Sequence, residues 1–300
     1  MSLPPPPPPP APVAPETRQT PRCYRHPDRE GGRHCTRCGK AACNDCLVQA
    51  AIGSQCVDCA KAGRPDVATR ARYWNAGQPI LVTKVLIAIN AAVFVWGAVQ
   101  DPGSLSGRGA ITQDSVAYKL GLNEAFLTNG NHEWYRLVTS GFLHFGIIHI
   151  AFNMFMLFQL GGLLERPLGR LKFTLLYFAS LLAGSFGVLL LSVTGIRGAG
   201  LTGGASGAVF GLMGAAAIGM HRRGVNIFST GLGTTLLLNL FITFAIPGIS
   251  IGGHLGGMAG GAICGWLMLA PHWKPVHPWA GWATPVAVMV VSVLGSVLIV

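Results

Sequence analysis

Two stretches decide the fold: residues 200–220, GLTGGASGAVFGLMGAAAIGM, and residues 249–269, ISIGGHLGGMAGGAICGWLML. Neither contains Asp, Glu, Lys or Arg, and each is close to the roughly twenty apolar residues that a helix needs to cross hydrocarbon. Ser206 lies in Gly203-Gly204-Ala205-Ser206-Gly207, with Gly211 completing a small-xxx-small face. His254 lies in Gly252-Gly253-His254-Leu255-Gly256-Gly257, extended by Gly260 and Gly261. Glycine at this spacing lets helix backbones approach closely. The two helices can therefore bring a serine hydroxyl within hydrogen-bond reach of an imidazole.

The rest of the chain places both stretches in a membrane protein. Half of the 300 residues are hydrophobic and only 11% are charged, against about a quarter in a soluble domain. Further apolar runs cover residues 82–99, 141–164, 171–194, 227–246 and 282–300, so with 204–220 and 249–269 seven spans are expected. The net charge of +11 would suit a nucleic-acid partner, but the basic residues sit ahead of the first span and in short loops, and none is expected. Arg70, Arg72 and Lys84 precede or begin the first span, Arg166, Arg170 and Lys172 lie between spans two and three, Arg222 and Arg223 follow span four, and Lys274 follows span six. The opposite side holds Arg108, Lys119, Arg136 and Arg197. By the excess of Lys and Arg in cytoplasmic loops, the N-terminus is expected to be cytoplasmic and the loop over 101–140 outside.

The N-terminal part reads differently. Pro4 to Pro10, within a Pro-rich tail over 1–22, cannot form a helix and has no apolar h-region. Residues 23–60 hold four pairs at one spacing: Cys23 and His26, Cys35 and Cys38, Cys43 and Cys46, Cys56 and Cys59. A two-residue gap lets both side chains of a pair reach one ion from a tight turn, and eight ligands suit two zinc ions. The set predicts two structural zinc ions with no open coordination position, interleaved as first pair with third and second with fourth. A disulfide framework is the competing reading, but seven cysteines with a histidine in register fit it poorly. A cytosolic thiol-rich segment also lies in the reducing compartment, where zinc ligation survives. A linker over 61–80 leads to a membrane core over 81–270, followed by a loop and an additional span over 271–300.

Polar groups within a bilayer are costly and mark function by default. His144, His149 and Asn153 fall in the second expected span, Ser206 in the fourth and His254 in the sixth. These spans all start from the outer face under the orientation above, and each residue lies near its span's start, so all converge at one depth. His149 and Asn153 are four apart, about 40° around a helix axis, and share a face. His144 is five before His149 and points elsewhere, as a cap at the span's outer end. A serine hydroxyl is a poor nucleophile until a neighbouring base takes its proton. Spans four to six contain no Asp or Glu, so Ser206 and His254 would act as a dyad. The oxyanion formed on attack needs preorganised donors, which His149, Asn153 and the Ser206 backbone N–H can supply.

Taken with Glu133-Trp134-Tyr135-Arg136 ahead of His144 to Asn153, this constellation resembles the rhomboid intramembrane serine proteases over spans one to six. Trp134 and Arg136 stand for that family's first-loop signature, with Tyr135 between them, and Glu165 and Gly169 for its Glu and Gly after span two. The resemblance implies an all-α polytopic membrane protein: a six-helix rhomboid-like core plus one C-terminal helix, here preceded by the zinc module, itself similar in spacing to B-box-like or treble-clef fingers. It implies an endopeptidase acting on transmembrane-segment substrates, with Ser206 and His254 as the dyad, His149 and Asn153 as oxyanion donors, and no catalytic cofactor. Where the family often stacks a tyrosine on the histidine, four residues after the serine, this chain has Phe210, whose ring can stack equally. His144, Trp134 and Arg136 would be supporting residues. The expected partners are membrane-protein substrates, the bilayer and a cytosolic protein for the finger, with the active site open to the extracellular side. The competing readings are an inactive rhomboid-like binding or trafficking factor, and a transporter with Ser206 and His254 in a solute path. Transporters usually show internal repeats, and none is found here.

Overall fold

A computed structural model describes residues 20–300 apart from 68, 71–72, 74–76, 79, 129–131 and 196–199. The polyproline tract, Arg72 and Arg197 thus lie outside the described residues. The chain divides into two compact units, Met1–Gly77 and Gln78–Val300.

The first unit is built on four short strands. β1 (Arg33–His34) pairs antiparallel with β2 (Ala41–Ala42), and β3 (Leu47–Gln49) with β4 (Ser54–Cys56), which runs into α1 (Val57–Ala62). The Cys56 sulfur caps α1 by accepting from the Cys59 N–H at 3.4 Å. So small a unit has little apolar core, and its buried residues are largely the cysteines themselves, among them Cys23, Cys35, Cys46 and Cys56.

The second unit is helical. In chain order it contains α2 (Leu81–Gln100), α3 (Val116–Leu120), α4 (Arg136–Thr139), α5 (Ile147–Leu168), α6 (Arg170–Val193), α7 (Ser206–Arg222), α8 (Leu232–Ala245), α9 (Ile251–Met268) and α10 (Ala280–Ile299). Each expected span has a helix. Four of these, α2, α5, α6 and α10, are long and apolar enough to cross a membrane by themselves. The others are shorter or richer in glycine, and α8, at 14 residues, rises only about 21 Å against a hydrocarbon core of about 30 Å.

Two spans start five or more residues later than the sequence expectation, each for a local reason. The second span begins at Ile147 rather than 141, because Ser140–Phe142 form a 3-10 turn and Gly146 turns the chain at φ +94°. The fifth begins at Leu232 rather than 227, because the Asn226 side chain caps a 3-10 turn over Ile227–Thr230 that ends on Gly231 at φ +76°.

At the centre, α9 is wedged between α6 and α7. A Cβ on Gly257 would fall 2.0 Å from the Gly207 carbonyl oxygen, and one on Gly261 2.0 Å from that of Gly211, so this face of α9 lies on the α7 backbone. A quarter turn away, a Cβ on Gly252 would fall 2.2 Å from the Gly187 oxygen and one on Gly256 2.5 Å from that of Ala183, both on α6. The glycine pairs of 252–261 therefore serve two neighbours at once. Leu157, Leu176, Leu212 and Met213 fill the layer beside them.

Two polar anchors hold the periphery. The buried Glu165 carboxylate accepts from the Val82 and Thr83 N–H groups, each at 2.8 Å, and from the Thr83 hydroxyl at 2.6 Å. It thereby satisfies donors at the N-terminus of α2, which has no cap of its own. The buried Arg136 guanidinium donates to the carbonyls of Tyr118 and Gly121 and to Glu133, and lies 3.9 Å from the Phe126 ring centre. It gathers the long loop between α2 and α5, while Trp134 packs against the cluster containing Leu122, Leu137 and Leu189. The Arg136 guanidinium in turn holds the Glu133 carboxyl below its ordinary range, chiefly through their hydrogen bond.

Candidate active site

Ser206 is the first residue of α7, set there by Gly204, whose φ of +142° no L side chain adopts readily. His254 is the fourth residue of α9, after Ser250, whose hydroxyl caps the helix on the Gly253 N–H. With α9 pressed onto α7 at Gly257 and Gly207, the two side chains meet: Ser206 Oγ lies 2.8 Å from His254 Nε2. Phe210, one turn along α7, stacks on the imidazole at 4.0 Å and 15°. His254 is 8% exposed, so the ring is held by protein on most sides.

The other ring nitrogen, His254 Nδ1, lies 2.7 Å from the Thr243 hydroxyl of α8. No motif pointed to Thr243. A threonine in an apolar helix commonly bonds back to the carbonyl four residues before it, as Thr243 does to Asn239 at 2.7 Å, and nothing in the sequence distinguishes that habit from a second contact across helices.

His149 approaches from α5. Its Nδ1 accepts from the Phe145 N–H at 3.3 Å, so the ring proton sits on Nε2. That nitrogen faces the Gly204 backbone, where an added Cβ would lie 3.0 Å from it and 3.5 Å from Ser206 Oγ. Asn153 is buried one turn further in, its amide donating to the His149 carbonyl at 2.9 Å, which leaves one amide hydrogen uncommitted. A cavity of about 840 Å³ opens beside Ser206 and His149, lined also by Phe145, Ile148, Phe152, Ile242 and Pro247.

His144 departs from its expected place. The turn at Ser140–Phe142 and Gly146 leaves it in the loop before α5, so it caps no end of that span. Its Nε2 instead accepts from the Ala205 N–H at 3.4 Å, at the start of α7, and its ring meets His149 edge-on at 5.0 Å. It supports the turn that presents Ser206. Trp134 and Arg136 lie in the loop between α2 and α5 and bear on the site through the packing described above.

In the N-terminal unit the eight ligand candidates gather into two groups, Cys23, His26, Cys43 and Cys46, and Cys35, Cys38, Cys56 and Cys59, each with ligand atoms within 4.8 Å of one another. This is the interleaved pairing. Four ligands at about 2.0 Å for nitrogen and 2.3 Å for sulfur around a tetrahedral zinc stand roughly 3.5 to 3.8 Å apart. His26 Nδ1 lies 3.3 Å from the Cys46 sulfur and 3.5 Å from that of Cys43, and the Cys38 and Cys56 sulfurs are 3.8 Å apart. Backbone N–H groups, that of Cys56 first, pull the Cys35 thiol down to about 6, while hydrogen bonding to Cys56 and Cys38 pushes Cys59 of the same group up to about 12, as the crowding of thiols on one centre requires. The residues present fit zinc in number, type and separation.

Known proteins share the membrane part of this arrangement. The chain is 31% identical over 196 residues to "Rhomboid protease GluP" of Bacillus subtilis (strain 168), a match covering 64% of this chain and 36% of that protein. It is 36% identical over 188 residues to "Rhomboid-like protease 1" of Toxoplasma gondii, covering 60% and 62%. It is 32% identical over 169 residues to "RHOMBOID-like protein 4" of Arabidopsis thaliana, covering 54% and 39%. The matches thus span between 36% and 62% of the length of these relatives. Residues 131–271 match the Rhomboid domain family, a range that runs from the loop anchored by Arg136 to just past the end of α9 and leaves α2 and the zinc-ligand unit outside. The matched segment takes in α7 with Ser206, α9 with His254 and α5 with His149, so the helices that build this site are the part of the chain that is similar to the Rhomboid domain.

Proposed function

We propose that this chain is an intramembrane serine endopeptidase that cleaves transmembrane segments of other proteins. The observation that carries this reading is the 2.8 Å contact between Ser206 Oγ and His254 Nε2 at the edge of a cavity large enough for an extended peptide; that two relatives are named proteases supports it. As Ser206 Oγ attacks a scissile carbonyl, its proton passes to His254 Nε2, and the carbonyl oxygen becomes an oxyanion. His149 Nε2–H, the free amide hydrogen of Asn153 and the Ser206 N–H are the donors offered to that charge. The intermediate collapses as His254 returns the proton to the leaving amine, giving an ester on Ser206. Water, deprotonated by His254, then hydrolyses the ester and restores the serine. Substrates would be segments that unwind easily, since attack needs an extended backbone that hydrocarbon penalises.

In the same reading Ser206 and His254 open toward the outer face, the N-terminus is cytoplasmic, and the N-terminal unit holds two structural zinc ions and docks a cytosolic protein. Incubating the detergent-solubilised protein with a fluorophosphonate probe tests the chemistry: covalent labelling of wild type and none of Ser206→Ala is expected. Equal labelling of both, or none of folded wild type, would set the protease reading aside in favour of a binding role.

A further inference from the structure

A histidine can serve as base to Ser206 only when Nε2 is the unprotonated nitrogen, so the proton of the neutral ring must sit on Nδ1. In an enzyme with a third acidic residue, a carboxylate against Nδ1 enforces this. Among the described residues no carboxylate approaches His254. Its Nδ1 faces the Thr243 hydroxyl at 2.7 Å, and that hydroxyl lies 2.7 Å from the Asn239 carbonyl oxygen.

The directions of these bonds follow from what each group can do. A carbonyl oxygen only accepts, so the 2.7 Å contact with Asn239 is a hydrogen bond only when the Thr243 hydroxyl spends its single hydrogen there. Its lone pair is then what faces His254, and Nδ1 must donate. Nε2 is left with a lone pair toward Ser206, which donates its hydroxyl hydrogen into it. The order runs from the α8 backbone through Thr243 and His254 to Ser206, and each member fixes the next. With the opposite tautomer, the Thr243 hydroxyl would have to leave Asn239, and Ser206 would face an N–H that cannot take its proton.

Resting on the serine-hydrolase reading above, we propose that Thr243 is a positioning residue for that chemistry: it selects the Nδ1–H tautomer of His254 and holds the ring's orientation about the Phe210 stack. The buried setting strengthens the role. Thr243 is fully buried, so water does not substitute for its lone pair. Thr243 also ties α8 to α9 at the site, because α8 otherwise turns large apolar residues such as Leu237, Leu238 and Phe241 outward. A displacement of α8 would therefore release the tautomer and the base together.

The test compares Thr243→Val, which keeps the shape and removes the lone pair, with Thr243→Ser, which keeps the hydroxyl, and Thr243→Ala as a smaller replacement should valine disturb packing. Folding of each is checked by elution in detergent. Cleavage of a transmembrane substrate should lose about ten- to a hundredfold in kcat in the valine and alanine variants, with KM little changed, the cost of leaving a buried N–H unpaired at the base. Serine should restore most of it. Nitrogen NMR of protein labelled in histidine, with the His254 signals assigned through His254→Gln, should show Nδ1 protonated in wild type and Thr243→Ser, and a shift toward Nε2 protonation or a mixture in Thr243→Val. A folded valine variant with wild-type kcat and an unchanged His254 spectrum would overturn the proposal, as would serine and valine variants equally impaired. A wild type that neither cleaves nor labels, yet whose His254 spectrum changes in Thr243→Val, would support the assignment of Thr243 and overturn the hydrolase reading instead.

Discussion

Ser206 and His254 stand 48 positions apart in sequence and 2.8 Å apart in space, and their interdependence makes a distinctive forecast. Ser206→Ala and His254→Ala should each abolish cleavage of a membrane substrate, and the double variant should lose little more, because nucleophile and base act as one unit. Assay of the three purified variants side by side checks this; additive losses would contradict it. Asn153→Ala should instead retain a measurable remnant, down about a hundred- to a thousandfold, since other donors remain for the oxyanion. Glu133 offers a forecast in pH. Its carboxyl is held low by Arg136, so the ion pair contributes fully above the ordinary carboxylate range and is lost as pH falls through the depressed value of the folded protein. The fluorescence of Trp134, next in sequence, should therefore change only at pH below the usual glutamate range, and a transition centred at the ordinary value would show that the pair contributes nothing.

At the scale of helices, stability rests on backbone contact. Gly257→Val and Gly261→Val place branched side chains where even a Cβ would lie 2.0 Å from a carbonyl of α7. Each should cost at least the roughly 1 to 3 kcal/mol of an overpacked core and separate α9 from α7, so thermal unfolding in detergent should fall together with probe labelling. Gly162, beside open space on α5, provides the control: Gly162→Ala should leave both unchanged. Glu165→Ala strips two backbone donors and a hydroxyl on α2 of their acceptor, and about 1 to 3 kcal/mol of stability should be lost. Its effect should appear in unfolding rather than in kcat, since Glu165 touches none of the residues around Ser206.

For the whole molecule, the two compact units predict separable behaviour. Chelation should unfold the N-terminal unit, whose buried residues are largely the cysteines, while the helical unit keeps its unfolding transition. Elemental analysis should find two zinc ions per chain, and circular dichroism with limited proteolysis should locate the loss of structure in residues before 62. A paired-cysteine mass without zinc would refute the metal assignment. Orientation is checked by an impermeant maleimide on single-cysteine variants: a cysteine at 222 should react only after the membrane is opened, and one in the loop over 101–140 in intact cells.

The sequence by itself determined that the chain is a polytopic helical membrane protein with a cysteine- and histidine-rich module ahead of it, because hydropathy and ligand spacing are local properties written in consecutive residues. It also brought Ser206, His149 and His254 to one end of the bundle, since the alternation of spans and the position of each residue along its helix need no tertiary information. Phe210 over His254 was legible in the same way, being one helical turn from Ser206. What only the tertiary structure decided is how each helix is rotated and where it begins. His144 belongs to the start of α7 rather than to its own span because Gly146 delays α5, Glu165 closes the end of a helix some eighty residues earlier, and Thr243 meets His254 because α8 turns that face inward. These contacts depend on the angle between non-adjacent helices, which is set by summed packing over many side chains and by glycine faces that serve two neighbours. No single residue or spacing carries that angle, so it exists only once the bundle is assembled.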